Sequence, residues 1–448
     1  MSDKIFKNMS NKTILHVGFD DTDSPKGMCT TFLAFKMVDY LKSQDTDFID
    51  FPKLIRFNPN VPWKTRGNGA VSFSIKTGNP TKIKNKIKNF VEKFSDVENG
   101  ANPGLVFLES EKISENFSKF SELAMWQLVN RNNAKKFVHE NNLDYFFMGN
   151  GQGLVGAIGS IGYMFNDHTL ELISYRKKRK FGTKRTISSQ SVKDMQEKTF
   201  PNTYNNFDDK KNRVMITPHG PDPVFYGIRG ENVESLLTAK KIVQTNEKLD
   251  GYMIFKSNQG TNDHLKNQLT KDNIKTYSSG WLTGKIASNP KSSKGGHIFF
   301  KISLDEFELD CAVYKETGLV KIASSFVSGD KVMLAGGIRK SSKNFPKSLN
   351  VELIKILDFA QKKIQSNPKC LKCNKNMKSK GANQGFECIK CGRKSSKKES
   401  KILSRKLQKK LFIPQISAHR HLTRPEQRMG ITNKPNQFSE KVSWFFRE

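Results

Sequence analysis

Three acidic residues fall within four positions at Asp20-Asp21-Thr22-Asp23, followed by Ser24-Pro25-Lys26-Gly27-Met28-Cys29-Thr30-Thr31. Carboxylates this close repel one another unless a cation lies among them, and Mg2+ prefers oxygen ligands shared with nucleotide phosphates. Ser24 and Gly27 suit a turn in which the backbone approaches a phosphate. A helix opening just beyond would offer free N–H groups and the positive end of its dipole. Thr30 or Thr31, in the first helical turn, could bond that phosphate or accept it. Asp20, Asp23 and Ser24 would also serve as plain caps of a turn and a helix, a role that leaves three acids at the end of an apolar strand without a reason. The segment is not a Walker A loop, and the chain carries no protein-kinase catalytic-loop signature. Further on, Lys64-Thr65-Arg66-Gly67-Asn68-Gly69 sets Lys64 and Arg66 beside a Gly-Asn-Gly turn. Two such cations fit a triphosphate whose Mg2+ rests on the aspartates, or an ordinary hairpin turn with solvated charges.

A second constellation binds metal. Cys370-x2-Cys373 and Cys388-x2-Cys391 each bring two thiolates to one side of an ion. Together they complete a tetrahedral zinc site with no open position, so its role is structural. Other candidates are less specific. Gly149-Asn150-Gly151-Gln152-Gly153 opens a helix holding Gly156, Gly159 and Gly162, which either binds an anion or packs closely. Arg176, Lys177, Arg179 and Lys180 form a basic run suited to an RNA backbone or to solvent. Pro221–Glu231 reads as a long linker able to line a small pocket. Ser417–Leu422, with His419 and Arg420, could touch RNA.

The elements that must position these residues follow from periodicity. Thr13–Phe19 reads as a strand, a helix follows from about Met28, and Lys53–Phe57 and Gly69–Lys76 are strands. Ile83, Ile87, Phe90, Val91 and Phe94 lie on one helical face, Leu105–Leu108 is a strand, and one polar helical stretch runs from Ser114 to Asn141. The same β-α-β-β-α-β order is read again over 145–258: strand Tyr145–Met148, helix Leu154–Tyr163, strands Thr169–Arg176 and Arg213–Thr217, helix Glu231–Val243 and strand Tyr252–Lys256. That order is ferredoxin-like. Gly280–Ala287, His297–Ile302, Glu308–Tyr314, Lys331–Arg339 and Leu349–Leu357, with a helical stretch after the third, give the order of an OB fold or of another small barrel.

The chain has 448 residues, more than one core accommodates, and 76 Lys+Arg against 43 Asp+Glu leave a net charge of +33. Such an excess points to a polyanion, nucleic acid first, although a general lysine bias would also raise it. No apolar run approaches the roughly 20 residues that span a bilayer, and Met1–Lys12 has no apolar signal-peptide core. A cytoplasmic protein without a disulfide framework is expected.

Several of these segments, in this order, resemble the archaeal tRNA(Ile) 2-agmatinylcytidine (agmatidine) synthetase family. They are Gly18–Ser24, Gly27–Thr31, Arg56–Pro59, Lys64–Val71, Gly153–Ala157, Leu170–Arg176, Tyr226–Glu231, Gly295–Phe300 and the four cysteines. Phe19 and Phe32 depart from the more usual residues there. The resemblance implies an α+β multidomain protein: a kinase-like catalytic domain (13–142), a ferredoxin-like domain (143–262), an OB fold (276–360), a zinc ribbon (366–395) and a basic tail (396–448). It also implies ATP-dependent activation of the wobble cytidine of tRNA(Ile) with a CAU anticodon, then displacement by agmatine, so that AUA is decoded. No obligate protein partner is implied. Thr30 would be the autophosphorylated threonine, Asp20, Asp21 and Asp23 would hold Mg2+, and ATP would meet Ser24, Gly27, Lys64 and Arg66. Asp222 and Glu231 are candidates for the agmatine guanidinium. The rival readings are a non-catalytic RNA- or ssDNA-binding protein, which would not need the acid cluster, and another ATP-dependent RNA enzyme, which would ignore agmatine.

Overall fold

Leu15, Val17 and Phe19 alternate with His16 and Gly18, a period of two that puts the apolar side chains on one face of a strand. The computed structural model describes residues 12–305, 307–343, 345–434, 438 and 442–448. Most of the polar N-terminus lies outside them. In it, β1 (Thr13–Asp20) lies between two antiparallel neighbours inside an eleven-stranded sheet. The chain continues through α1 (Thr30–Lys42), β2 (Thr46–Phe48), β3 (Lys53–Arg56), β4 (Gly69–Thr77), α2 (Pro80–Phe94) and β5 (Gly104–Glu109). Asn79 caps α2 by accepting from the Lys82 N–H, and Pro80 begins the helix where a missing N–H costs nothing. The single helix expected over 114–141 is two, α3 (Glu115–Trp126) and α4 (Arg131–Glu140), because Asn130 caps the second. β6 (Asp144–Phe147) and α5 (Leu154–Gly162) follow.

Strands β6-β5-β1-β4-β3 are adjacent in that order, each antiparallel to the next. One face packs Leu15, Val17 and Phe19 against Leu33 and Met37 of α1 and Ile83 and Ile87 of α2. The other packs Ile55, Ala70 and Val106 against Phe117 of α3, Ala134 of α4 and Ala157 of α5. The second α/β unit was expected to begin at Tyr145. Instead β6 is the edge strand beside β5, and α5 packs across β1, β4 and β5. A sheet whose second face is also apolar needs that helical cover.

The second half of the sheet comprises β7 (Thr169–Arg176), α6 (Ser189–Thr199), β8 (Thr203–Tyr204), the short pair β9 (Phe207–Asp208) and β10 (Arg213–Val214), β11 (Val224–Gly230), α7 (Val233–Ile242) and β12 (Leu249–Ser257). Its strands lie β12-β7-β11-β8, all antiparallel. Counted in chain order this is fourth-first-third-second, the arrangement also found in β5-β1-β4-β3. A parallel pairing of β12 with β3, Lys256 opposite Lys53, joins the halves. The expected linker over 221–231 is therefore largely a sheet strand. A register shift between Val224 and Tyr226 interrupts the alternation that would have marked it.

By its internal contacts the chain forms two compact units. The first runs through Trp281 and takes in Gly336–Lys340 and Ile413–Glu448; the second is Leu282–Ala335 with Ser341–Phe412. β13 (Ser279–Ile286), β14 (Lys291–Ser292), β15 (Ile298–Ser303), β16 (Glu308–Val313), α8 (Val320–Ala323), β17 (Lys331–Arg339) and β18 (Ser348–Asp358) follow in order. Five of them close a barrel, β13-β15-β16-β18-β17 and back to β13. β19 (Lys362–Ser366) precedes a small sheet of β20 (Lys378–Ser379), β21 (Phe386–Glu387) and β22 (Lys394–Ser395). It pairs with β23 (Glu399–Leu403), and β24 (Leu411–Phe412) pairs with β18.

No separate tail spans 396–448. From Ile413 onward the chain belongs to the first unit, where β25 (Phe445–Arg447) pairs with β12 and Trp444 is buried against Phe48 and Phe51. Burial of these aromatic rings supplies the drive. The anchor is Arg428, fully buried, bonded to Asp167 and Glu231 and to the Gly260 carbonyl. Removing it would leave Glu231 without its cation and buried Asp167 with Arg424 alone. Arg428→Ala should therefore destabilise the first unit by about 3–5 kcal/mol, read as earlier urea unfolding and faster amide exchange over β12 and β25; unchanged protection there would refute the anchor role.

Candidate active site

β1 ends at Asp20 and the chain reverses through Asp21, whose φ of 57° is unusual for a residue other than glycine; Met28, at 58°, closes the same loop before α1. Asp20 packs against Gly156 of α5, where any Cβ would collide with its carboxylate. Burial, then Asp21 and Asp23, push the Asp20 carboxyl well above its ordinary range. Burial and Asp23 raise Asp21 to about 6. Asp23 is raised by burial, a shift that Arg66 and hydrogen bonds from Thr65 and Thr30 oppose. The Thr30 hydroxyl is buried, accepts from Thr22 Oγ1 at 3.0 Å and donates to Asp23 Oδ1 at 3.4 Å. A hydroxyl held between a donor and a carboxylate is arranged as an activatable nucleophile.

The Lys64–Gly69 loop faces this turn. Arg66, also in the left-handed region with a φ of 40°, reaches Asp23 Oδ2 at 3.0 Å, the Met28 carbonyl at 2.8 Å and the Ser24 carbonyl at 3.2 Å. Three cavities adjoin the loop. The first, about 260 Å3, is lined by Asp23, Thr30, Arg66, Glu171, Asp222 and Arg229 among others. A second, about 60 Å3, is lined by Asp20, Asp21, Trp63, Lys64, Gln152 and Gly156. A third, about 270 Å3, gathers Arg56, Lys64, Arg66 and Arg420. Four cations around one hollow, with Lys64 lowered by burial and by Arg420, make a site for an anion.

The far wall of the first cavity comes from the second half of the sheet. Glu171 on β7 lies 3.7 Å from Arg56 and 3.5 Å from Arg229 on β11, and accepts from Gln259. His421, from the returning C-terminal segment, lies 2.8 Å from Arg229 and fills the space beside Gly67 that a side chain there would need. Asp222 is buried, bonded to Arg185 at 3.3 Å, and raised by burial against the pull of Arg66 and Arg185. In the second unit the four expected cysteines converge, their sulfurs all within 4.8 Å of one another, a spacing that suits one tetrahedral metal ion.

Family models for three TiaS domains match this chain: the TCKD domain over residues 16–150, the FLD domain over 151–264 and the C-terminal zinc ribbon domain over 367–407. The tRNA 2-agmatinylcytidine synthetase TiaS of Cenarchaeum symbiosum is 44% identical over 432 residues, covering 96% of each chain. The chain belongs to the TiaS family. A solved complex of TiaS with its isoleucine tRNA and ATP superposes with a TM-score of 0.84 at 33% identity, over 95% of this chain and 100% of that one. A complex of TiaS with the same tRNA, AMPCPP and agmatine does so with a TM-score of 0.81 at 30% identity and the same coverage.

Against this TiaS-family background the expected residues separate. Asp20, Asp21, Asp23, Thr30, Lys64, Arg66 and Asp222 line adjoining cavities. Ser24 supports the turn by donating to Asp96, and Gly27 closes it through paired backbone bonds with Ser24. Three expectations are corrected. Arg176 is fully buried and doubly bonded to Glu247, so it presents nothing to RNA. Glu231 is taken by Arg428 and Asn433 and does not line the cavity. His419 is held by Pro414 and Asn205 in place of facing outward. Lys177 pairs with Glu448 at 3.0 Å, whereas Arg179 and Lys180 are exposed. Glu171 and Arg229, which also line the first cavity, do not stand out as site residues in the sequence: a charge inside a strand signals function only once its neighbours are known.

A carboxyl with a raised pKa takes up a proton on folding, so its contribution to stability falls as pH rises through the window from about 4 to about 6. Asp21→Asn should therefore raise the unfolding temperature at pH 7.5. The gain should shrink to roughly half at pH 5 and vanish only below about pH 4, where the unfolded carboxyl is protonated as well; a gain that does not change with pH would contradict the crowding.

Proposed function

We propose that this chain is the ATP-dependent ligase that joins agmatine to the wobble cytidine of tRNA(Ile) bearing a CAU anticodon, giving 2-agmatinylcytidine and allowing AUA to be decoded as isoleucine. The observation that carries the reading is the ridge of Asp20, Asp21 and Asp23, with Thr30 at its edge, between an anion-binding side and a cavity of mixed charge. The named relatives and the ATP and agmatine complexes of TiaS support it. The two fourth-first-third-second sheets read as ferredoxin-like units and the closed barrel as an OB fold. The cysteine cluster reads as a structural zinc ribbon. Site of action is the cytoplasm.

The chemistry follows from the groups present. A cytosine 2-oxo oxygen is a poor leaving group until it carries a phosphoryl group. ATP would lie along Lys64, Arg66 and the opening of α5, whose cations and N–H groups offset its charge. Asp20, Asp21 and Asp23 fit a Mg2+ ion, since burial and mutual repulsion leave them short of positive charge; when bound it would neutralise phosphate charge. Thr30 Oγ1 passes its proton toward Asp23 as it takes a phosphoryl group from ATP, whose P–O bond to the departing nucleotide breaks; phosphoryl transfer from ATP to the cytosine 2-oxo oxygen likewise breaks a phosphoanhydride P–O bond. Once the cytosine oxygen is phosphorylated, the primary amine of agmatine attacks C2, the C2–O bond breaks, and phosphate leaves. Asp222 and Glu171 are the carboxylates placed to receive the guanidinium, with Arg66, Arg185 and Arg229 as their resting partners. Arg179, Lys180 and the lysines around the cysteine cluster supply charge for the tRNA backbone.

Mass spectrometry of a tRNA(Ile) transcript incubated with ATP and agmatine tests the reaction: a mass gain confined to the anticodon fragment is expected, and none would reject the reading. Thr30→Ala should abolish product with tRNA affinity within about twofold of the parent, a split that a purely structural threonine would not produce. Affinity for tRNA should drop about tenfold or more between low and physiological salt; a flat response would contradict the cationic surface.

A further inference from the structure

On the wall of the first cavity, Asn205 has an orientation fixed by a chain of hydrogen bonds and an acceptor that goes unused. His419 Nε2 lies 2.9 Å from the Pro414 carbonyl. A carbonyl only accepts, so Nε2 carries the proton and Nδ1 of the neutral ring is an acceptor. Burial and the nearby Arg229 favour that neutral form. The atom 3.2 Å from Nδ1 is the Asn205 side-chain nitrogen, which donates and thereby settles which way the amide points. The Asn205 oxygen is then turned away from His419, withdrawn from bulk water and without a partner in the protein. Asn205 lines the cavity beside Tyr204, Met215 and Ile216, at a φ of 56° that asparagine tolerates better than most residues. A dry acceptor without a donor is costly unless a ligand completes it.

We infer that Asn205, oriented by His419, reads the 4-amino group of the target cytosine and so selects cytosine over uracil. The inference rests on the ligase reading above. The charged groups of the cavity, Asp23, Glu171 and Asp222 against Arg56, Arg66 and Arg229, suit phosphate and guanidinium. A neutral acceptor among apolar side chains suits a neutral N–H2. Uracil would bring its 4-oxo oxygen against the amide oxygen, two acceptors with no proton between them. The primary amine or guanidinium of agmatine is the other donor that could reach this oxygen, and the test separates the two.

The test crosses a protein change with a substrate change. Asn205→Gly removes the side chain without straining the left-handed backbone. A tRNA with 2-pyrimidinone at the wobble position, cytosine without its 4-amino group, removes the proposed partner. In the unchanged full-length protein, loss of the amino group should lower kcat/KM roughly tenfold; in Asn205→Gly the two tRNAs should react equally, and KM for agmatine should not move. His419→Phe, which leaves Asn205 in place but frees its amide to turn over, should shrink the preference for the amino group in the same direction. Penalties that simply multiply would overturn the assignment. So would a raised KM for agmatine without coupling to the base, which would transfer the acceptor to the amine substrate. Absence of product from the unchanged protein with natural cytidine would defeat the ligase reading itself, and this assignment with it.

Discussion

Three carboxylates crowded into one turn, and partly withdrawn from water, set the terms for what surrounds them. Their mutual repulsion cannot be relieved by solvent alone, as the raised Asp20 and Asp21 show. One guanidinium, Arg66, answers Asp23 directly; Asp20 and Asp21 are left facing a cleft. The turn that holds them is itself unfavourable, with Asp21 and Met28 in left-handed conformations. Such a turn persists only where the scaffold over-determines it. Here β1 is hydrogen-bonded on both sides and covered by helices on both faces, so the end of the strand has nowhere to relax.

The same crowding explains why the cavity needs two half-sheets. The first half supplies acids, Thr30 and the Lys64–Gly69 loop. The opposing charges, Arg229 and Glu171, stand on β11 and β7, which reach the acid turn because β12 pairs in parallel with β3. His421 and Arg420 arrive from the segment after Ile413, pinned by Arg428 between Asp167 and Glu231. The conspicuous charges near the end of the chain thus divide. Arg428 is structural, His421 forms part of the cavity wall, and Arg420 meets Asn60 on the anion-binding side.

Local pattern made the individual strands and helices of the first half legible, because alternation in β1 and β4 and helical spacing in α2 survive in the residues themselves. The acid turn and the cysteine pairs were legible because their chemistry is written in contiguous residues. What was not legible depended on partners distant in sequence. β6 and α5 look like the start of a new unit until β6 is seen beside β5. β11 is hidden by a register shift among turn-forming residues, and α6 exposes most of its polar surface, with only Val192 and Met195 as apolar residues wholly buried on it. Arg176 reads as the first residue of a basic run, yet Glu247, far along the chain, turns it inward. A charged residue's role is set by whether a counter-charge meets it, and that meeting is a property of the tertiary fold.

The chain path sets one part of this arrangement apart from the rest. It leaves the first unit after Trp281, builds most of the barrel and cysteine cluster, and returns for good at Ile413. His419, Arg420 and His421 therefore lie in a segment that most of the second unit separates in sequence from the rest of the first. Without that segment Arg229 would lack His421, the Gly67 turn would be open, and His419 would not orient the Asn205 amide. Ionic contacts tolerate loose geometry because Coulomb attraction falls off slowly, whereas a neutral amide presents a donor or an acceptor according to its orientation, which here comes from His419.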